Sequence, residues 1–231
     1  MSSSKTILDV KFEHYLEIGS SKLSLFLSQT QKKNLSKYFL EIQKWNKVFR
    51  LISDYDEKRI LVRHFFDSLS IIHPIDNRLK SIQGKGIFCD VGSGNGFPGI
   101  VLAIMRPYYQ ITCVDSKEKK TAFLTHLKSL LNLKNLVVKN ERIETLKCLE
   151  CDIVISRAFS SLSNFVNMAG RHIHKRGLLV AMKGKFPKFE IRDLYNSKWK
   201  VECSEPLVVP DLNASRFLLW IKPIHCEKKF F

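Results

Sequence analysis

From Asp90 to Gly99 the chain reads Asp-Val-Gly-Ser-Gly-Asn-Gly-Phe-Pro-Gly, and this is where the sequence concentrates residues that could handle a ligand. Glycines let a backbone turn tightly and approach a bound molecule with no side chain between. An apolar run, GIFCDV (86–91), precedes the stretch, and a segment able to form a helix, Phe97 to Met105, follows it. Strand, glycine loop and helix in that order make the ligand-binding corner of a doubly wound sheet. Two parses fit the loop. Gly94, Gly96 and Gly99 satisfy the GxGxxG dinucleotide fingerprint, with Asp115 at a suitable distance for a ribose contact. Gly92, Gly94 and Gly96 instead satisfy the acid-x-Gly-x-Gly-x-Gly pattern of methyltransferases, with Asp90 as the acid. Asp90 favours the second parse, because a carboxylate closing the strand repels a pyrophosphate but suits the ammonium and sulfonium of S-adenosylmethionine.

Other residues fall into place around that loop. Asp115 closes the next strand-like run, QITCVD (110–115), where it would accept hydrogen bonds from adenosine ribose hydroxyls. Capping the helix that starts near Lys117 is a compatible second role. Glu141-Arg142-Ile143-Glu144 falls where an adenine ring would lie, Ile143 offering apolar contact and a backbone amide and Glu144 an acceptor. Arg157 ends CDIVISR (151–157), where it could reach a cofactor or the O6 and phosphate of a target guanosine. A salt bridge to Asp90 or Glu144 is its alternative. Lys183 ends GLLVAMKG (177–184), as a phosphate contact or a solvated lysine. His64 and Asp67 lie three apart on one helix face, so a core pair and a contact at the rim of the site both fit. Trp45 is assigned to the core.

These residues need a scaffold, and the hydrophobic pattern supplies one. From Gln31 to Leu51, apolar residues at Leu35, Tyr38, Phe39, Ile42, Trp45 and Phe49 make one helical stripe, with lysines on the other face. A second helix is expected from Asp56 to Ile72, and 74–86 as a connection. Strands then alternate with helical patterns: 86–91, 110–115, 136–139, 151–157 and 177–184, with a helix at Lys117 to Leu131. Two further strands, 200–209 and 216–223, have no helix between them and imply an antiparallel hairpin at the edge. The expected fold class is α/β: a Rossmann-like methyltransferase fold with a seven-stranded, mostly parallel sheet and an antiparallel last strand. An N-terminal helical segment (1–85) would precede the methyltransferase domain (86–231).

Composition narrows the partners. The chain has 231 residues and a formal net charge of +16. Residues 1–85 hold 15 Lys and Arg against 9 Asp and Glu, and residues 170–231 hold 13 against 6, whereas 86–169 holds 10 against 7. Basic flanks around a more neutral centre suit a catalytic core edged by phosphate-binding surface. No stretch reaches the roughly 18 apolar residues of a membrane span, and no signal core opens the chain, so a cytoplasmic location is expected. The six cysteines then read as reduced thiols. Cys148 and Cys151 form a single CxxC without a second ligand pair, which argues against a metal.

Taken together, the motifs resemble the family of bacterial small-subunit ribosomal RNA methyltransferases known as RsmG or glucose-inhibited division protein B. The similarity runs from about Tyr38 to Gly184. It rests on Trp45-Asn46, RHFFDSL (63–69), DVGSGNGFPGI (90–100), Val114-Asp115-Ser116, Phe123-Leu124, Arg142-Ile143-Glu144, Ser156-Arg157-Ala158 and Lys183-Gly184. The resemblance implies methylation of N7 of a guanine in a 16S ribosomal RNA loop near the decoding site. It implies cofactor contacts at Gly92, Phe97, Ile143, Glu144 and Arg157, joined by Asp90, Gly94 and Asp115 from the loop pattern. Arg157 is the expected catalytic residue, and Arg63, His64 and Lys183 are the expected RNA contacts. The family usually has Lys-Arg where this chain has Lys119-Lys120, and a glycine where it has Glu141. Missing motifs agree: there is neither the [DNS]PP[YFW] loop of amine methylation nor the Pro-Cys of pyrimidine C5 methylation. Guanine N7 already presents a lone pair, so catalysis would be positioning. The expected partner is 16S RNA, free or in the small subunit or its precursor, met by a monomer with no metal. Rival readings are a methyltransferase acting on another RNA, a protein or a small molecule, an NAD(P)-dependent oxidoreductase, and a non-enzymatic RNA-binding module. The presence of Asp90, Gly92 and Asp115 argues against the last.

Overall fold

The computed structural model describes residues 7–53, 56–157 and 159–224, and residues 7–10 in their backbone alone. Ala158 of the Ser-Arg-Ala motif and one of the six cysteines, Cys226, lie outside the described residues.

Helices build the first third. Helix α1 (Ile7–Lys22) was not marked by the sequence pattern; among its described side chains it buries Phe12 and Leu16, with Gly19 and Ser20. Helix α2 (Gln29–Phe49) begins with a capping box. The Gln31 N–H donates to Ser28 Oγ at 3.2 Å, and the Ser28 N–H donates to Gln31 Oε1 at 2.8 Å. Its expected stripe is buried at Leu35, Tyr38, Phe39 and Ile42. Trp45 is half-buried against Phe49, Phe123 and His126. Next comes a helical stretch in three parts: α3 (Glu57–Ile60), a π-helical segment Leu61–Phe66, and α4 (Asp67–Leu69). The segment read as a connection from residue 74 is instead largely helix α5 (Ile72–Ser81). Pro74 sits in its first turn, where a missing N–H costs no helical hydrogen bond.

Seven strands follow: β1 (Ile87–Val91), β2 (Gln110–Asp115), β3 (Leu136–Asn140), β4 (Cys151–Ser156), β5 (Ile173–Lys183), β6 (Trp199–Pro206) and β7 (Phe217–Pro223). Their order in the sheet is β3-β2-β1-β4-β5-β7-β6. All neighbours pair in parallel except β7, which is antiparallel to both β5 and β6. Helices α6 (Gly99–Met105), α7 (Glu118–Leu130), α8 (Leu162–Ala169) and α9 (Lys188–Asp193) make the crossovers. The last two were not foreseen.

Strand alternation sorts the core into two clusters. Phe88, Ile153, Ile155, Leu178, Val180, Leu218 and Trp220 face one side and pack with Phe12, Phe39, Phe66, Ile100 and Phe123. Cys89, Val154, Leu179, Leu219 and Ile221 face the other and pack with Leu162, Phe165 and Ala169. Among the described residues the five cysteines are free thiols. Cys151 is buried, and Cys148 is exposed with its thiol donating to the Arg171 carbonyl at 2.8 Å. No group of three His, Cys, Asp or Glu among the described residues is arranged to hold a metal.

The α1 contact generates a prediction. A Cβ on Gly19 would lie 1.9 Å from Phe66 Cζ, so the ring occupies the space a side chain needs. Gly19→Val should cost about 1–3 kcal/mol through overpacking. Urea unfolding should show a lower midpoint at unchanged slope, and Phe66→Leu in the same chain should recover part of the loss.

Candidate active site

Every parallel strand of this sheet delivers its last residue to one edge, and strand order reverses between β1 and β4. That is where a doubly wound sheet opens a crevice. Two cavities lie along the edge, on either side of the segment that follows β4.

The first, about 170 Å³, is lined by Gly92, Asp115, Ser116, Glu141, Arg142, Ile143, Glu144, Phe159 and Met168, together with Val91 and Val114. The loop after β1 is shaped by its glycines. Gly96 has φ +97°, and a Cβ there would meet Ile100, the Tyr38 hydroxyl and Leu124 at 2.4–3.0 Å. Tyr38 in α2 donates its hydroxyl to the Asn95 carbonyl at 2.5 Å, which ties the helical segment to the loop. Asp115 takes the Gly94 N–H at 2.8 Å on one carboxylate oxygen and the Lys117 N–H at 2.9 Å on the other. Its orientation is therefore fixed by backbone on both sides. Behind the turn Ile143–Thr145, buried His172 donates from Nε2 to the Ile143 carbonyl at 2.9 Å, and Arg171 donates to the Leu146 carbonyl.

Asp90 points into the loop rather than the cavity. It is 1% exposed, and its Oδ2 accepts the Gly99 N–H at 2.9 Å. Oδ1 is buried with no hydrogen-bond partner among the described residues. Burial pushes its carboxyl up to about 6, against the pull of the Gly99 N–H and of the Arg157 charge.

The second cavity, about 310 Å³, is lined by Arg63, His64, Asp67, Arg157, Met182, Lys183, Gly184 and Arg216. The three expected RNA contacts and Arg157 thus meet in one place, while Phe97 lines neither cavity. Phe97 is 3% exposed and stacks between Tyr38 and His64 at centroid distances of 5.0 and 5.1 Å. The Arg157 guanidinium carbon lies 5.3 Å from the same ring. Arg157 pairs with Asp67 at 3.3 Å, and donates to the Arg63 carbonyl and to His64 Nδ1, both at 3.2 Å. Its partner is Asp67, not Asp90 or Glu144. The donation to Nδ1 places the neutral ring's proton on Nε2. Burial first, then the Arg157 and Arg63 charges, hold the His64 imidazole down at about 3. Lys183 binds both oxygens of Glu190, at 3.2 and 2.9 Å, and the Phe159 carbonyl at 3.3 Å.

Sequence reading missed Phe159, Met168 and Arg216. Arg216 donates from Nε to Asp67 Oδ1 at 2.9 Å. A signal existed: an antiparallel last strand must start where β5 ends, and Phe217 is paired with Lys183. The residue before Phe217 therefore lands on the site edge.

The doubly wound sheet, with its glycine loop at the reversal of strand order, defines a Rossmann-like methyltransferase. The fold is shared with a ribosomal protein L11 methylase from Lactobacillus delbrueckii subsp. bulgaricus (TM-score 0.53, 12% identity, 69% of this chain and 79% of the other). It is shared also with TrmN from Thermus thermophilus (TM-score 0.50, 10% identity, 67% and 53%). Sequence goes further. The model of the GidB family, described as rRNA small subunit methyltransferase G, matches residues 31–219. The ribosomal RNA small subunit methyltransferase G of Bordetella avium (strain 197N) is 44% identical over 214 residues, 93% of this chain and 95% of the relative. That of Bordetella pertussis (strain Tohama I) is 47% identical over 196 residues, 83% and 85%. The chain belongs to this methyltransferase family, which sets aside the oxidoreductase and non-enzymatic readings.

His64 gives the site a signature in pH. Its folded-state value lies below that of an exposed imidazole, so the unfolded chain binds a proton first as pH falls. Stability should drop between pH 6.5 and about 3. Denaturant titrations of the protein and of His64→Gln should diverge over that window, the variant losing less. Parallel curves would remove the neutral, buried imidazole from the account.

Proposed function

We propose that this protein transfers a methyl group from S-adenosylmethionine to N7 of a guanine in the decoding-site loop of 16S ribosomal RNA. One observation carries the reading. Gly92, Asp115, Ile143 and Glu144, four of the residues expected to hold the cofactor, line one cavity, the residues expected to hold RNA line the next, and Arg157 and Phe159 come from the same short segment between them.

The residues of the first cavity fit the cofactor. Ile143, Phe159 and Met168 offer apolar surface to an adenine ring, and Glu144 an acceptor. Asp115 lines the cavity with each oxygen accepting one backbone N–H, which leaves each with acceptor capacity for a ribose hydroxyl. Gly92 keeps the wall beside β1 free of side chain, and Gly94 continues the turn. Asp90, buried behind the turn, braces the loop from within by accepting the Gly99 N–H. When bound, the cofactor supplies an electrophilic methyl on its sulfonium.

The second cavity positions the acceptor. Arg157 presents a planar fork to a guanine O6 or a phosphate while Phe97 supports it from below and Asp67 fixes its charge. Arg63 and Arg216 add cations on the same cavity, and Lys183 adds charge at the rim while bound to Glu190. Neutral His64 stays an acceptor for Arg157. No group there must remove a proton, because N7 attacks with a lone pair it already has. Residues 1–85 act as a helical cap and 86–231 as the methyltransferase domain. The enzyme works as a cytoplasmic monomer on 16S RNA in the small subunit or its precursor. No helix of the described residues is long and apolar enough to cross a membrane.

The reaction is tested with radiolabelled S-adenosylmethionine, the purified protein, and ribosomal RNA and small subunits lacking the modification. Borohydride–aniline cleavage then locates 7-methylguanosine. A single cleavage in the decoding-site loop is expected; cofactor binding without labelled RNA would overturn the acceptor. Asp115→Ala should weaken cofactor binding by about tenfold, as loss of a hydrogen bond to a charged group does. Arg157→Lys keeps a charge beside Asp67 but loses the fork. It should leave cofactor affinity within about twofold and lower kcat/KM for RNA by about 100-fold.

A further inference from the structure

The segment after β5 displays what folded proteins usually hide. Phe186, Phe189 and Tyr195 are 48%, 70% and 74% exposed, and no residue of α9 is buried. Six residues do not hold a helix by themselves, so its position comes from its inner side. There Glu190 takes the Lys183 ammonium and, at 2.7 Å, the Leu162 N–H, while Ile191 and Leu194 pack on the second core cluster. The outer side, three and four residues out of phase, carries Lys188, Phe189, Arg192 and then Tyr195. Lys185 and Phe186 lead into it. The Arg192 guanidinium carbon sits 5.4 Å from the Phe189 ring centroid.

This row starts at the second cavity. Phe186 packs edge-on against Phe217 at 5.5 Å, and Phe217 is joined to Arg216 and paired with Lys183, both lining that cavity. Three rings alternate with Lys185, Lys188 and Arg192. One acid of the segment, Glu190, is turned inward and paired, which leaves Asp193 as the exposed one. Rings interleaved with cations are what an unpaired strand of RNA asks of a protein: faces for bases to stack on, and charge along the backbone. A protein partner's apolar surface would gain little from three cations spaced between the rings.

We infer that the exposed face of residues 185–195 is a stacking platform for unpaired nucleotides flanking the methylated guanine. Phe186, Phe189 and Tyr195 take bases, and Lys185, Lys188 and Arg192 take phosphates. The inference rests on RNA being the acceptor.

All six side chains are exposed, so alanine at these positions leaves the core untouched. The triple variant Phe186→Ala, Phe189→Ala, Tyr195→Ala should raise KM for undermodified RNA or subunits at least about tenfold. Its kcat and its S-adenosylmethionine Kd should stay within about twofold. Phe189→Trp should retain activity, and its fluorescence should be quenched by an unpaired oligoribonucleotide. Lys185→Ala with Lys188→Ala and Arg192→Ala should flatten the dependence of KM on salt, whereas the ring variant keeps that slope. An unchanged KM in the ring variant overturns the platform while leaving the acceptor in place. Quenching of Trp at 189 by small subunits but not by the oligoribonucleotide overturns it in favour of a protein partner. Absence of RNA labelling by the unaltered enzyme removes the acceptor and the platform together.

Discussion

Asp67 is a carboxylate with 3% exposure, held between two guanidiniums that reach it from distant parts of the chain. A buried charge without partners is expensive, and removing one partner from such a group costs far more than the pair contributes. Arg157 comes from the end of β4 and Arg216 from just before β7, while Asp67 belongs to the helices of the N-terminal segment. Closing this triad sets where the helical segment sits relative to the strand ends. It also aims two cations into the second cavity. The interaction that satisfies the buried acid is thus the one that builds the acceptor side of the site. Phe97 completes it from beneath, and Tyr38 beneath that, so the glycine loop and α2 are registered to the same centre.

The π-helical segment belongs to this centre as well. It carries Arg63 and His64, and its Arg63 carbonyl accepts from Arg157. Widened turns of this kind recur at functional sites, where they re-aim side chains that a regular helix would place elsewhere. Neutral His64 follows from the arrangement: an imidazolium beside two guanidiniums, out of water, would be repelled by both.

Much of this was legible in the sequence, for physical reasons that differ by element. Strands β1, β2 and β4 are short apolar runs ended by turn residues, and the Asp90–Gly99 loop has few conformational choices. The terminal hairpin was readable because no helical period separates its strands. Helix α1 was not, because Phe12 and Leu16, the apolar side chains buried among its described residues, make a weak signal. Helix α5 was obscured by Pro74, which breaks helices at their middle but not in their first turn. The site divides in the same way. Positions at strand ends were accessible from alternation alone, and Gly92, Asp115, Ile143 and Glu144 gather as spacing suggested. Phe97, for which the family resemblance implied a cofactor contact, has its ring under Arg157 and His64, a packing role that the loop pattern did not indicate. Arg216 meets Asp67 across 149 positions, a partnership that no local pattern encodes.

The order of strands has a consequence for how the molecule comes into being. Among the described residues, strand β6 has no neighbour in the sheet except β7, and β7 is the last strand. Trp220 of β7 lies in the same core cluster as Phe12 near the beginning. During synthesis the N-terminal helices therefore appear long before the surface that completes their burial, and β6 waits unpaired for the strand after it. Contacts that span nearly the whole chain make folding slow and leave apolar edges open meanwhile. The first helices of this fold stay partly uncovered until β7 has been made.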